Sequence, residues 1–105
     1  MKRDASVFLK HILESTVIIE KYVKGHSEQD LLGSMALRDA VMRRLSVIGE
    51  AARNVPGHIK AKNKSVEWKA IMGLKNILVH EYFGVDLKVI WRIAKVDLPK
   101  LKSIY

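Results

Sequence analysis

The chain has 105 residues and a formal net charge of +8, from 19 lysines and arginines against 11 acidic residues. It contains no cysteine, which excludes disulfides, thiolate metal sites and cysteine nucleophiles. Apolar residues make up 49% of the chain and no apolar run could cross a bilayer. We therefore expect one soluble domain over residues 1–105, cytoplasmic and without a membrane partner. The charge favours a polyanionic partner, or is simply a lysine-rich surface.

The first predicted helix begins after Asp4, which can cap it, and runs to about Lys24. Gly25 is typical of the residue that ends a helix. Apolar and small residues recur at steps of three and four along this segment, which indicates one buried face. That face consists of Leu9, Ile12, Thr16, Ile19 and Val23.

A second helix is predicted from the capping-box pair Ser27 and Asp30 to about Val55, where Pro56-Gly57 ends it. Gly49 lies in the interior of this segment, where it favours close packing of another helix. The predicted buried face is formed by Val41, Leu45, Ile48, Ala52 and Val55.

Residues 56–64 are predicted to form a basic loop that includes His58, Lys60, Lys62 and Lys64. Ser65 can cap a third helix that runs to about Tyr82, and Asp86 can cap a fourth. Pro99 should end, kink or restart that last helix. The apolar residues that this fourth helix carries are Val89, Ile90, Ile93, Val96 and Leu98. The sequence thus predicts an all-α, up-and-down bundle of four main helices with a short C-terminal piece.

A group of polar residues near the end of the third helix is the best candidate for chemistry. Lys75, Asn76, His80 and Tyr82 place a cation, an amide, an imidazole and a phenol within eight residues. An imidazole can move protons near neutral pH, and a cation can offset charge on a phosphorane-like transition state. These residue types suit phosphodiester cleavage without a metal or another cofactor. The alternative is that His80 is an ordinary surface or core histidine.

Other familiar sites are not indicated by the sequence. His11, His26 and His58 are scattered and form no His-x-x-x-His pair, which argues against a built metal site. The six glycines are dispersed, and none belongs to a phosphate-binding loop. Trp68 and Trp91 are expected to be core or interface anchors.

The run from Lys75 to Tyr82 resembles the signature of the HEPN ribonucleases, in particular their HepT-like branch. That signature is an arginine, four to six residues, a histidine, one residue and a tyrosine. Residues 83–86 and 91–99 resemble the segments that follow it, and residues 38–41 and 48–52 resemble the family's second-helix motif. The likeness covers most of the chain.

The resemblance implies a homodimeric helical bundle in which the motifs of two chains line one cleft and cleave RNA without a metal. It implies that His80 is catalytic, with Lys75 and Asn76 beside it, and that Arg38 and Glu50 are supporting residues. Such proteins are similar to the toxin of a type VII toxin–antitoxin pair. The partner is a minimal nucleotidyltransferase that transfers AMP to the motif tyrosine, here Tyr82.

One position departs from the signature, because Lys75 stands where the family usually has arginine. Lysine lacks the planar, bidentate fork with which arginine grips a phosphate. Three interpretations follow: an active endoribonuclease, a catalytically weak or silent dimer that binds the nucleotidyltransferase, or a helical interaction domain with a basic face.

Overall fold

The computed structural model describes residues 5–74 and 87–102, and every regular element in these two ranges is helical. The prediction of an all-α fold is confirmed. The first helix, α1, spans Ala5–Val23, and Gly25 follows it with a φ of 78°, a conformation that favours glycine. The predicted capping residue, Asp4, lies outside the described residues.

The predicted buried face of α1 is confirmed, since four of its five members are buried and Leu9 packs partly against the core. Thr16 is an unusual member of this face. Its side chain is fully buried, and its hydroxyl oxygen has no hydrogen-bond partner within the described ranges. Its methyl group still contributes apolar surface, so the residue packs as a valine would.

The predicted second helix is two helices, so the expectation of one continuous element was wrong. Helix α2 spans Glu28–Gly33 and begins with the predicted capping box of Ser27 and Asp30. Ser34 then adopts an extended conformation, and its hydroxyl accepts the Leu37 backbone N–H at 3.1 Å. Glycine weakens a helix and a serine side chain competes for backbone N–H groups, so the chain breaks here and restarts.

Helix α3 spans Met35–Arg53 and packs against α1 along its length. Its predicted buried face is confirmed, because Val41, Leu45, Ile48 and Ala52, together with Val55 just beyond the helix, are all buried. Gly49 is buried as well. The α1 and α3 pair forms the larger part of the core.

Residues 56–64 were predicted as a loop, but they include a short helix, α4, at Gly57–Lys62. Pro56 precedes it with a φ of −59°, close to the helical value that the proline ring fixes. Ile59 packs against the core, which adds a tertiary contact to a short polar sequence. Apolar anchoring of this kind stabilises helices whose sequence alone is too short to form them.

Helix α5 spans Trp68–Gly73 and packs against α3. It begins three residues after the predicted cap, Ser65, with Glu67 in the capping position. Trp68 and Ile71 are buried. The predicted extension of this helix to Tyr82 lies outside the described residues.

The C-terminal helix contains α6 at Leu87–Arg92, one π-helical stretch at Ile93–Asp97, and α7 at Leu98–Lys102. In the π stretch the Leu98 N–H donates to the Ile93 carbonyl, five residues back. Pro99 has no N–H, and its ring would clash with the carbonyl four residues earlier in a regular helix. The wider π-helical turn before Pro99 accommodates the proline ring, and the α-helix restarts at Leu98.

The C-terminal helix packs on α1, and α6 also contacts α2. Of the apolar residues on this helix, Ile90, Ile93 and Leu98 are buried. Val89 and Val96 are 38% and 51% exposed. In residues 5–74 and 87–102, no helix combines the length and apolarity that a membrane crossing requires.

Candidate functional site

The residues predicted to carry the chemistry are Lys75, Asn76, His80 and Tyr82, and all four lie outside the described residues. The structure describes the elements on either side of them. Before the segment, α5 ends at Gly73 and the buried Leu74 follows. After it, Leu87 opens α6 and packs partly against the core.

The two flanking helices are held by different parts of the bundle. Helix α5 packs on α3, whereas α6 packs on α2. Ile71 and Ile90, which are buried at 0% and 4% exposure, supply the apolar contacts of these two helices. Both ends of the segment that carries the motif are therefore anchored in the same core.

Arg38, predicted as a supporting residue, has a structural role at the end of α2. Its Nη1 donates to the Leu31 carbonyl at 3.4 Å and also to the Leu32 carbonyl. The last carbonyls of a helix have no partner within that helix, and a cationic side chain satisfies them well. The guanidinium thus ties the end of α2 to the start of α3.

Glu50, the other predicted supporting residue, is exposed near the end of α3. Its backbone carbonyl accepts a hydrogen bond from the Asn54 side chain at 3.0 Å. Arg38 and Glu50 are twelve residues apart on one helix, which places their backbones about 18 Å apart. The structure does not bring these two residues together.

Sequence reasoning treated residues 56–64 as a basic loop and missed the order around Lys60. The Lys60 ammonium donates to Met72 Sδ at 3.1 Å and lies 6.0 Å from the centre of the Trp68 ring. Trp68 Nε1 in turn donates to the Asn63 carbonyl at 3.0 Å. Burial, and then the nearby charge of Arg53, lower the pKa of Lys60. This cation is thus held in place by neutral groups.

A second ordered polar group lies where α1 passes into α2. His26 Nδ1 and Asp30 Oδ2 are 3.2 Å apart, and the same carboxylate accepts the Ser27 backbone N–H at 2.9 Å. The Ser27 backbone hydrogen bond, followed by that from His26, lowers the pKa of Asp30. The pair borders a cleft of about 550 Å³ whose lining includes Tyr22 and Leu37. His26, one of the scattered histidines of the sequence, thus has a carboxylate partner.

Comparison with known proteins identifies relatives over nearly the whole chain. The chain is 44% identical over 98% of its length to a Methanocaldococcus jannaschii protein named as a gamma-glutamylcyclotransferase and putative RNase, of which it spans 46%. It is 41% identical over 97% of its length to a putative RNase of the same organism, of which it covers 94%. It is 35% identical over 98% of its length to the probable ribonuclease HepT of Thermococcus cleftensis, of which it covers 94%.

No solved structure matches the chain. A family model described as "Ribonuclease HepT-like" matches residues 12–105, which include the whole of the segment from Lys75 to Tyr82. The helical order, the match over most of the chain and the named relatives agree. The chain belongs to the HepT-like ribonuclease family.

Proposed function

We propose that this protein is a metal-independent endoribonuclease with His80 and Lys75 as its working pair. The observation that carries the proposal is the family match over residues 12–105, which includes the candidate cation, amide, imidazole and phenol. The net charge of +8 supports it, because a positive field attracts a polyanionic substrate.

In the proposed reaction the ribose 2′-oxygen forms a bond to the adjacent phosphorus while the bond from phosphorus to the 5′-oxygen breaks. His80 takes the proton from the 2′-hydroxyl and delivers a proton to the leaving 5′-oxygen, so the imidazole ends the step in the form in which it began. Lys75 offsets the negative charge that grows on the phosphoryl oxygens, and Asn76 orients the imidazole or donates to phosphate. The products are a 2′,3′-cyclic phosphate and a 5′-hydroxyl end.

The active form in this proposal is a homodimer in which the two motifs share one cleft. Large apolar side chains on the surface support it: Leu32 is 43% exposed, Met35 65% and Val89 38%. Leu32 lies on α2 and Val89 on α6, two helices that contact each other. Burial of such side chains stabilises association between subunits.

The proposal extends to regulation as the toxin of a toxin–antitoxin pair. A minimal nucleotidyltransferase partner would transfer AMP from ATP to the Tyr82 hydroxyl and release pyrophosphate. The added nucleotide brings bulk and negative charge two residues from His80, where both oppose the binding of RNA phosphate. A catalytically weak or silent dimer that serves as substrate for the same enzyme is the second candidate, and the lysine at position 75 favours it.

Cleavage of a labelled RNA in the presence of EDTA tests the first candidate. Wild type is expected to cleave, and His80→Ala to leave the RNA intact. The Lys75→Arg variant restores the bidentate fork and should cleave faster by up to about a hundredfold, the order of effect of one transition-state contact. If wild type, Lys75→Arg and His80→Ala all leave RNA intact, the enzymatic proposal fails.

Mass spectrometry after incubation with a minimal nucleotidyltransferase and ATP tests the second candidate. Wild type is expected to gain one or more AMP units, and Tyr82→Phe none.

Light scattering tests the dimer, with an expected mass of about twice the 12.0 kDa of one chain. A particle of a single chain's mass at micromolar concentration rules out the shared cleft.

A further inference from the structure

We propose that the region around α4 is a second phosphate-binding surface that holds the RNA backbone beside the catalytic motif. It consists of Arg53, Lys60, Lys62 and Lys64, and we refer to it as the α4 surface. The inference rests on the proposed function, since it names how the same substrate is held. It adds a binding surface outside the motif residues.

The first observation is the local charge. Residues 51–74 contain five lysines and arginines and one acidic residue, Glu67, a net charge of +4 in less than a quarter of the chain. Arg53, Lys62 and Lys64 are exposed. Half of the protein's net charge therefore lies in one short stretch around α4.

The second observation is that no carboxylate of the described residues neutralises this charge on the four cations. By contrast, a lysine on the C-terminal helix does pair with a carboxylate: Lys102 Nζ lies 3.1 Å from Glu20 Oε1. Cations without acidic partners gain most from a phosphate ligand, because no existing ion pair has to be broken.

The third observation is that the surface is ordered. The Trp68 indole fixes the Asn63 carbonyl, and the Asn63 side chain donates to the Ile59 carbonyl at 2.8 Å. Lys60 is held against Trp68 and Met72 by a ring and a sulfur atom, which leave its charge intact. Binding a phosphate then requires little further ordering of the backbone.

The fourth observation concerns the distance to the motif. Lys60 contacts Met72, which precedes Lys75 by three residues. Three residues of chain span at most roughly 11 Å, whatever their conformation. A strand whose scissile phosphate is held at Lys75 therefore has nearby phosphates within reach of Lys60, the member of the α4 surface that contacts Met72.

The surface fits RNA better than an acidic protein. Interfaces between proteins have an apolar centre with aromatic anchors. The large exposed apolar side chains of the described residues are Tyr22, Leu32, Met35, Val89 and Val96, and none lies in residues 51–74. Trp68 is only 9% exposed and cannot stack on a base, so this surface contributes affinity without sequence preference.

The test compares two triple variants that lose the same charge. The α4 variant is Arg53→Gln/Lys62→Gln/Lys64→Gln. The matched α1 control is Lys10→Gln/Lys21→Gln/Lys24→Gln, in which Lys24 directly follows the helix. Both are made in the His80→Ala background, so that a labelled single-stranded RNA stays intact during binding measurements. All replaced residues are exposed, and equal thermal melting of the two variants checks that both are folded.

The α4 variant is expected to bind RNA at least about tenfold more weakly, and its salt dependence should fall by about two in log–log slope, from three lost phosphate contacts. The α1 control should change much less. Equal losses in the two variants overturn the α4 surface, and so does poly-glutamate binding as tight as RNA binding. If wild type binds RNA through the α4 surface but never cleaves it, the proposed ribonuclease activity is wrong and the α4 surface is still supported. If wild type binds no RNA, both proposals are wrong.

Discussion

The α1 and α3 pair and the α4 region differ in the contacts that hold them in the fold. The α1 and α3 pair is held by buried apolar side chains, and its sequence shows one regular stripe per helix. The α4 region is held by single contacts, among them the Trp68 hydrogen bond to Asn63 and the Lys60 contact with Met72. Three of its cations, Arg53, Lys62 and Lys64, are exposed to solvent.

This contrast separates stability from binding. Changes in the buried faces of α1 and α3 should alter the free energy of unfolding and affect RNA binding only through the folded fraction. Changes on the α4 surface should alter RNA binding and leave unfolding nearly unchanged. Four single substitutions test this separation, and their expected effects on the free energy of unfolding decrease from the first to the last.

Leu45→Ala is expected to have the largest effect. Leu45 is fully buried on α3, and removing a buried leucine side chain costs about 3 kcal/mol through lost transfer energy and a cavity. Lys62→Gln, on the exposed face of α4, should change the free energy of unfolding by no more than about 0.5 kcal/mol. Urea unfolding at one protein concentration measures both, and equal destabilisation by the two variants would contradict the contrast.

The same contrast explains which parts of the fold could be predicted from the sequence. The buried faces of α1 and α3 were predicted because a repeat of three and four residues is a local property of the sequence. The break at Ser34 and helix α4 were not, since continuing or capping a helix differs by only about 1 kcal/mol and tertiary contacts decide. The exposure of Val89 and Val96 could not be predicted either, because periodicity does not show how much of an apolar stripe is covered.

The candidate site divides in a similar way. Lys75, Asn76, His80 and Tyr82 follow from residue chemistry and from the family resemblance, and they remain predictions. The contacts of Arg38 could not be predicted, because they depend on the turn at Gly33 and Ser34 that brings the end of α2 back to α3. Lys60 was predicted as one of several loop cations, and its contacts with Met72 and the Trp68 ring distinguish it in the structure.

Arg38→Met is expected to have the second largest effect. It keeps most of the aliphatic stem and removes the hydrogen bonds to the Leu31 and Leu32 carbonyls. Hydrogen bonds from a charged group contribute about 2 kcal/mol in total at such a site. Stability should fall by about that amount. An RNA cleavage rate that falls while stability is unchanged would instead assign Arg38 to the active site.

Trp68→Phe tests the attachment of the α4 region to the core. The change removes the indole donor and leaves the Asn63 carbonyl without it, at a cost of about 1 kcal/mol. Because the segment that carries the cations of the α4 surface is then attached less firmly to the core, RNA affinity should fall as well. Trp91→Phe is the control: its half-buried ring lies 5.1 Å from Lys95 Nζ, on the C-terminal helix. An equal loss of RNA affinity in both variants would show that the hydrogen bond from Trp68 to Asn63 is not specifically required for RNA binding.

The smallest effect is expected at the start of α2, whose residues are not part of the α4 surface. The pKa of Asp30 lies below its ordinary value because its carboxylate accepts hydrogen bonds from Ser27 and His26. A carboxyl group with a lowered pKa in the folded state adds stability above its unfolded pKa of about 3.9, and this contribution is lost as the pH falls through the folded value. Asp30→Asn should therefore be less stable than wild type near neutral pH, and the two proteins should converge in acid.

Urea midpoints for the two proteins between about pH 3 and pH 7 measure this convergence. Glu14→Gln is the matched control, since Glu14 is exposed on α1 and has no polar partner in the described part of the chain. Its difference from wild type should vary less with pH than that of Asp30→Asn. RNA affinity at neutral pH should be the same in both variants, because neither residue belongs to the α4 surface. A constant gap between wild type and Asp30→Asn at every pH would mean that the Asp30 side chain stabilises α2 through its shape and neutral hydrogen bonding, and that its charge contributes nothing.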